Sequence, residues 1–290
     1  MYGAILGDII GSTYEFAGIK TKKFPLFPCG SDITDDSILT IAVAKALIRS
    51  LEKKCSFSDV LLEELRIMGV EYPYPKGGYG TGYRKWLDDP FPVPYNSCGN
   101  GSAMRVSACG LIAVTLEEAL DLAEASASVT HNHPEGIKGA QATAAAIFLA
   151  KTRHSKEEIR DYIHTNFYCL DRTLDEIREN YKFEGTCQKS VPEAIIAFLE
   201  STDFEDAICN TISLGGDADT MGAITGSIAW SFYRFQSKNG ISARMAKLWI
   251  KATNYLSDEW LDLIIQFDNL CRQREEQFQK TGYVEPFILN

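Results

Sequence analysis

Apolar residues recur three and four positions apart through most of this chain, which is the spacing that places them on one face of an α-helix. Runs in which apolar and polar residues alternate, as they do in strands, are scarce. The pattern predicts nine helices, at residues 37–51, 116–129, 134–151, 155–166, 191–200, 204–213, 221–235, 242–255 and 258–279. We therefore expect an all-α protein, with one compact orthogonal helical domain that spans residues 1–290.

Local signals sharpen the ends of some of these helices. Pro134 stands at the first position of its helix, where its missing N–H breaks no intrahelical bond. Ser155 is followed three residues later by Glu158, which is a capping-box pattern. Residues 72–102 instead contain many Gly, Pro and Tyr and predict a long irregular segment. Such segments are usually functional or disordered, and the aromatic content favours an ordered one.

Composition narrows the possible partners and the compartment. The 290 residues are 45% hydrophobic and 23% charged, as in ordinary globular proteins. The formal net charge of -10 argues against a nucleic-acid partner, because such proteins usually carry a basic face. Eight scattered cysteines without a C-x-x-C pair, and a start that lacks a basic signal region, predict reduced, mostly buried thiols in a cytoplasmic protein. The longest apolar run, residues 144–150, is too short to cross a membrane.

Two acidic clusters each stand at the start of a predicted helix. Residues 31–37 read Ser-Asp-Ile-Thr-Asp-Asp-Ser, and residues 215–220 read Gly-Gly-Asp-Ala-Asp-Thr. Helix capping is the simplest interpretation of the first, with Thr34 as the N-cap and the acids complementing the helix dipole. The second is harder to explain in this way, because residues 221–232 contain no charge and predict a buried helix. Carboxylates at the end of a buried helix are costly unless they are paired or bind a metal.

Few basic residues lie near either cluster in the sequence, so bound cations are the better interpretation. Mg²⁺ and Mn²⁺ prefer carboxylate, hydroxyl and water oxygens. Four carboxylates would balance two divalent ions. The oxygen ligands would come from Thr34, Asp35, Asp36, Asp217, Asp219 and Thr220.

Four weaker features accompany the clusters. Gly3, Gly7 and Gly11 are spaced four apart and could line one side of a closely packed helix, whereas Glu15 taken alone is more typical of a surface residue. The run 99–105, Gly-Asn-Gly-Ser-Ala-Met-Arg, could present backbone N–H groups to a phosphate. The pair in Thr130-His131-Asn132-His133 could bind zinc, but it lacks further ligands, and a loop that satisfies its own hydrogen bonds is the commoner case.

Taken in order, these motifs resemble the ADP-ribosylglycohydrolase family, which includes the dinitrogenase reductase-activating glycohydrolase. The resemblance covers residues 3 to about 230. It rests on Gly3-Ala4-x-x-Gly7-Asp8-x-x-Gly11-x-x-x-Glu15, Thr34-Asp35-Asp36-Ser37, the 99–105 run, Thr130-His131 and the 215–220 run. It implies an all-α fold with two Mg²⁺ or Mn²⁺ ions in a loop-lined cleft, held by the six residues named above. The last sixty residues match no motif of the family.

The resemblance also implies an activity, which is hydrolysis of the bond that joins ADP-ribose to a modified protein residue or a small conjugate. Arginine and serine linkages would use the same metal site. Glu15, Asp35 and Asp36 would take part in catalysis. ADP-ribose would be held by Gly80, Gly82, Ser97, Gly99, Asn100, Gly101, Ser102 and His131. Ala218 stands where the family commonly has Thr, between two ligands, and we expect little effect.

Two other functions are compatible with the pattern. A binuclear-metal phosphohydrolase would use a similar carboxylate site and would release phosphate from a nucleotide. An inactive ADP-ribose-binding relative is disfavoured, since all six ligands and Glu15 are present.

Overall fold

Helices make up most of the chain in the computed structural model, which describes residues 1–238 and 240–290. In that part, β structure is limited to two isolated bridges, Thr34 with Lys76 and Gly99 with Thr186. The predicted all-α fold class is therefore confirmed. The α-helices are α1 Tyr2–Gly11, α2 Asp35–Lys53, α3 Phe57–Glu71, α4 Thr81–Asp88, α5 Gly101–Met104, α6 Ser107–Ile112, α7 Leu116–Ser128, α8 Pro134–Lys151, α9 Lys156–Asn166, α10 Leu174–Asn180, α11 Cys187–Leu199, α12 Phe204–Ile212, α13 Ala218–Gln236, α14 Ala243–Ala252 and α15 Asp258–Thr281.

All nine predicted helices are present, and Pro134 and the Ser155 capping box begin their helices as expected. The prediction of a wholly irregular segment over residues 72–102 is wrong, because α4 lies inside it. That helix is short and buries only Tyr83 and Trp86, so it leaves little helical periodicity in the sequence. Helix α11 begins at Cys187, four residues before the predicted start at 191, and Pro192 lies inside it.

Helices α1 and α13 cross at van der Waals distance along a row of glycines. A Cβ atom on Gly3 would lie 2.0 Å from the Gly226 carbonyl oxygen, and one on Gly7 would lie 1.9 Å from the Gly222 carbonyl oxygen. No residue larger than glycine fits at these positions without moving a backbone. The predicted close-packed glycine face is confirmed, and it brings the end of α1 to the start of α13.

Helix α13 is buried over its first fourteen residues, from Ala218 to Ser231, as its lack of charge predicted. It contacts α1, α8, α11 and α12. Most of the buried apolar side chains form one contiguous cluster around it. The acidic turn at the start of α13 is therefore held by a largely buried helix.

The cysteines depart from expectation in one respect. All eight are free thiols, but only Cys109 and Cys187 are buried, and Cys29 and Cys169 are exposed. The expectation of mostly buried thiols is wrong, because a side chain this small loses little by partial exposure. Among the described residues, no helix is both long enough and apolar enough to cross a membrane.

Candidate active site

Asp8 of α1 anchors the beginning of α2. Its carboxylate is fully buried and accepts hydrogen bonds from the backbone N–H groups of Thr34 and Ser37, each at 3.0 Å. The Ser37 hydroxyl also donates to it, and the Thr34 hydroxyl lies 2.7 Å from its other oxygen. A carboxylate at this place complements the positive end of the helix dipole. Asp8 therefore fixes where α2 begins and how its first turn faces α13.

Thr34 and Asp36 form the next layer of the site. Thr34 is the N-cap of α2, because its side-chain oxygen accepts the N–H of Asp36 at 3.2 Å, as the capping interpretation predicted. The Thr220 hydroxyl of α13 donates to Asp36 Oδ2 at 3.3 Å, which links the two helices. Asp36 Oδ1 is buried and has no hydrogen-bond partner among the described residues. One oxygen of Asp36 is therefore left free for a ligand.

Two groups of three carboxylates lie side by side and share one member. In each, one oxygen per residue lies within 4.8 Å of the others. Asp8, Asp36 and Asp219 form the first group, and Glu15, Asp217 and Asp219 form the second. Asp217 is oriented by Asn100, whose amide donates to it at 2.8 Å. The predicted acidic clusters, 182 residues apart in sequence, thus meet at Asp219.

Crowding of like charges away from water changes the ionisation of these groups. Burial raises the pKa of Asp8 to about 6. Burial, with the charge of Asp217 beside it, raises the pKa of Glu15 to about 7. Burial and then neighbouring carboxylates raise the pKa values of Asp36 and Asp219 well above the usual range. Bound cations would remove this repulsion, and a set of oxygen donors suits Mg²⁺ or Mn²⁺. The residues present therefore fit the predicted metals.

These carboxylates form the floor of a cleft of about 380 Å³. Most of the predicted site residues line it: Glu15, Asp35, Asp36, Gly80, Gly82, Ser97, Asn100, Gly101, His131, Asp217, Asp219 and Thr220. Asp35 lines the cleft but lies outside both carboxylate groups. Burial, followed by the charges of Asp8 and Asp217, raises its pKa well above the usual range.

Three predicted residues do not line the cleft. Thr34 is fully buried beneath it. Ser102 is also fully buried, and its hydroxyl donates to the Gly136 carbonyl at 2.7 Å. Gly99 lies in the turn below, where its N–H donates to Ser97 Oγ at 3.0 Å. Ser102 and Gly99 therefore support the turn that places Asn100 and Gly101 in the cleft.

His131 lies on another wall of the cleft, against Tyr95, with ring centroids 5.5 Å apart. Its Nδ1 lies 2.7 Å from the Thr130 hydroxyl, which also accepts a hydrogen bond from buried Arg105 at 2.8 Å. Burial, reinforced by the Arg105 charge, lowers the pKa of His131 well below its usual range, so the imidazole is neutral. The nearby His133 instead caps α8 through the Glu135 N–H, and neither histidine belongs to a metal-binding group of the described residues.

Several residues of the site were not predicted. Asp8 was part of a motif, but nothing in the sequence marks it as the anchor of α2. Gly77 has a φ of +76°, and a Cβ there would lie 2.8 Å from Glu15 Oε2, so only glycine lets the loop lie this close. Phe16 and Phe183 also line the cleft. Phe183 follows the short helix α10, which was not predicted, and no motif in the sequence marked Phe183 as a residue of the cleft.

Comparison with known proteins agrees with this arrangement. The sequence model of the ADP-ribosylglycohydrolase family matches residues 1–275. The chain is 27% identical to ADP-ribosylhydrolase ARH3 of Bos taurus, and the match covers 80% of this chain and 83% of that one. It is also 27% identical to the ADP-ribosyl-[dinitrogen reductase] glycohydrolase of Rhodospirillum rubrum, again with 80% and 83% covered.

A solved structure shares the fold. It is described as an ADP-ribosylglycohydrolase-related protein complex, with a TM-score of 0.68 and 22% identity, and the match covers 93% of this chain and 95% of that one. The family match reaches 45 residues beyond the end of the resemblance seen in the sequence, at about residue 230, since 275 − 230 = 45. Most of the last sixty residues, in which no motif could be named, therefore lie within the family match. The chain belongs to the ADP-ribosylglycohydrolase family.

Proposed function

We propose that the cleft binds two divalent cations, Mg²⁺ or Mn²⁺, and that the protein hydrolyses the bond between ADP-ribose and a modified protein residue or small-molecule conjugate. The observation that carries the proposal is the pair of three-carboxylate groups that share Asp219. In the first of them, Asp36 Oδ1 is buried and has no hydrogen-bond partner in the described part of the chain. The relatives whose names specify ADP-ribosyl hydrolysis support the same reaction.

The metal ligands in this proposal are Thr34, Asp35, Asp36, Asp217, Asp219 and Thr220. Asp8 has the right distances, but its two oxygens already accept the Thr34 and Ser37 donors. We therefore assign Asp8 to positioning α2 rather than to binding metal. When bound, the cations would offset the carboxylate charge and bind the ribose hydroxyl oxygens and water.

The chain's own residues supply the rest of the reaction. Glu15 is half-buried beside Asp217 and Asp219. It acts as the general acid or base in the reaction at the anomeric carbon, and either accepts a proton from the attacking water or donates one to the leaving group. The nearby carboxylates, Asp35 and Asp36 among them, stabilise positive charge that develops on the ribose. Neutral His131, Ser97 and the turn of Asn100 and Gly101 hold ADP-ribose from one wall, and the Gly80 and Gly82 loop holds it from another.

The test is release of free ADP-ribose from a panel of ADP-ribosylated peptides, linked through arginine and through serine, with Mg²⁺ or Mn²⁺ present. We expect release that EDTA stops and that Asp217→Ala abolishes. Glu15→Gln should reduce turnover without abolishing metal binding measured by calorimetry.

Phosphate release is measured in the same reactions with nucleotide substrates. Release of phosphate without release of ADP-ribose would replace the proposal with a phosphohydrolase. A protein that binds metal and releases neither product would be either a hydrolase for a small-molecule ADP-ribose conjugate or an inactive ADP-ribose-binding relative. Full turnover by Glu15→Gln would remove that residue from the mechanism.

A further inference from the structure

Two exposed phenylalanines stack on each other at the mouth of the cleft. Phe16 is 75% exposed and Phe183 is 49% exposed, and both line the cleft. Their ring centroids are 5.7 Å apart and their planes meet at 23°. Large apolar side chains that face solvent together beside a polar cleft mark a binding surface.

Contacts on both sides hold this aromatic pair in place. Phe16 lies in the connection between α1 and α2, and Phe183 lies between α10 and α11. Lys20 joins the two connections, because its ammonium donates to the carbonyls of Tyr181 and Leu214, each at 2.5 Å. The Tyr181 ring packs against Gly216, in the turn that carries Asp217. The rings are therefore presented by ordered loops that are fastened to the catalytic turn.

The aromatic pair stands next to the carboxylates. Phe16 directly follows Glu15, which groups with Asp217 and Asp219. Phe183 is two residues from Gly185, whose carbonyl accepts the N–H of Asn100 at 2.9 Å. The aromatic pair therefore lies beside the carboxylates at which the proposed hydrolysis would break the bond to the ribose.

We propose that Phe16 and Phe183 bind the guanidinium group of an ADP-ribosylated arginine, an inference that rests on the proposed hydrolase function. Aromatic faces attract cations, and a planar guanidinium also stacks on them. Four of the five acids that line the cleft are assigned to the two cations in the proposed function, so the acid that remains to favour a guanidinium is Glu15, which directly precedes Phe16. The cleft lining also contains one base, Arg105. That base is occupied by the Ser126 carbonyl and the Thr130 hydroxyl. A serine linkage presents neither charge nor a planar group to the rings.

The test compares steady-state kinetics on arginine-linked and serine-linked ADP-ribosyl peptides of the same sequence. Phe16→Leu and Phe183→Leu keep apolar bulk but remove the ring. We expect each to lower kcat/KM for the arginine-linked peptide roughly tenfold, mainly through KM. Phe16→Tyr and Phe183→Tyr, which retain a ring, should stay within about twofold of the wild type. The serine-linked peptide should be unaffected.

Two controls separate this effect from misfolding and from contact with ADP-ribose itself. Phe91→Leu removes another exposed phenylalanine, one that does not line the cleft, and should leave the kinetics unchanged. Inhibition by free ADP-ribose should also be unchanged in the Leu variants, because ADP-ribose carries no guanidinium. Weaker inhibition in those variants would place the rings against ADP-ribose and overturn the assignment.

The remaining outcomes distinguish this inference from the proposed function. If the wild type releases ADP-ribose but the Leu variants process the arginine-linked peptide normally, the inference fails and the hydrolase function stands. Equal losses on both peptides would show a site for the peptide in general, which also overturns the guanidinium assignment. If the wild type releases ADP-ribose from neither peptide, the proposed function itself fails.

Discussion

Two neighbouring regions, the glycine crossing of α1 and α13 and the carboxylate groups at its end, differ in how their atoms are packed and paired. In the crossing, the absence of side chains lets two backbones touch, and every requirement is met by atoms of the chain. In the carboxylate groups, side chains crowd together, their pKa values are raised, and Asp36 Oδ1 has no partner within the described residues. The glycine crossing is therefore complete by itself, whereas the carboxylate groups keep an unbalanced negative charge that the proposed cations would offset.

The variant with the largest expected effect on activity is Asp219→Asn, since Asp219 belongs to both carboxylate groups. We expect ADP-ribose release to fall at least roughly a thousandfold, because metal-borne charge stabilisation contributes several kcal/mol. Asp32→Asn, in the exposed loop before α2, is the matched control and should keep activity near that of the wild type.

The same Asp219→Asn variant should not lose stability in EDTA, because it removes one of several crowded like charges. Added Mn²⁺ should stabilise the wild type by up to about 2.7 kcal/mol at a hundredfold excess over Kd, and stabilise the variant less. Urea unfolding with and without Mn²⁺ measures both effects. Equal stabilisation of the two proteins by Mn²⁺ would contradict the metal assignment.

Gly7→Ala tests the glycine crossing of α1 and α13. The new Cβ would lie 1.9 Å from the Gly222 oxygen and 2.2 Å from its carbonyl carbon, so α1 and α13 must separate. Overpacking of this kind costs about 1–3 kcal/mol or more, and we expect the upper end because two backbones have to move. Urea unfolding checks the loss. Gly80→Ala, where a Cβ meets nothing within 4 Å, should change stability by less than about 0.5 kcal/mol.

A smaller effect concerns His131, whose pKa burial lowers well below its usual range. Below about pH 6.5 the unfolded chain takes up a proton that the folded protein does not, so the unfolded state binds more protons and stability falls with falling pH. The expected slope from this residue is up to about 1.4 kcal/mol per pH unit. The difference in unfolding free energy between the wild type and His131→Gln, followed from pH 7.5 to 5.5, isolates it. A difference that does not vary with pH would show that His131 titrates equally in both states.

Helical periodicity was enough for nine helices, among them most of the long ones, because a continuous buried stripe repeats over several turns. Helices α1, α3, α4, α5, α6 and α10 were not among the nine predicted. Five of these have ten residues or fewer and offer few turns in which a pattern can repeat, whereas α3, with 15 residues, is a long helix that the prediction missed. The order of the acidic and glycine motifs was enough to name the acidic residues of the cleft and several of its other lining residues. It could not separate Ser102, which supports a turn from below, from Asn100, which lines the cleft two residues earlier.

The sequence by itself determined the fold class, the family and most of the chemical groups of the site, because these depend on residue type and local spacing. Only the tertiary structure decided that Asp219 is shared by two carboxylate groups, that Asp8 accepts hydrogen bonds at the start of α2, and that Phe16 meets Phe183. Each of these depends on contact between segments far apart in the chain, set by how closely α1 and α13 can approach. Local patterns do not encode such distances, because many packings are compatible with the same run of residues.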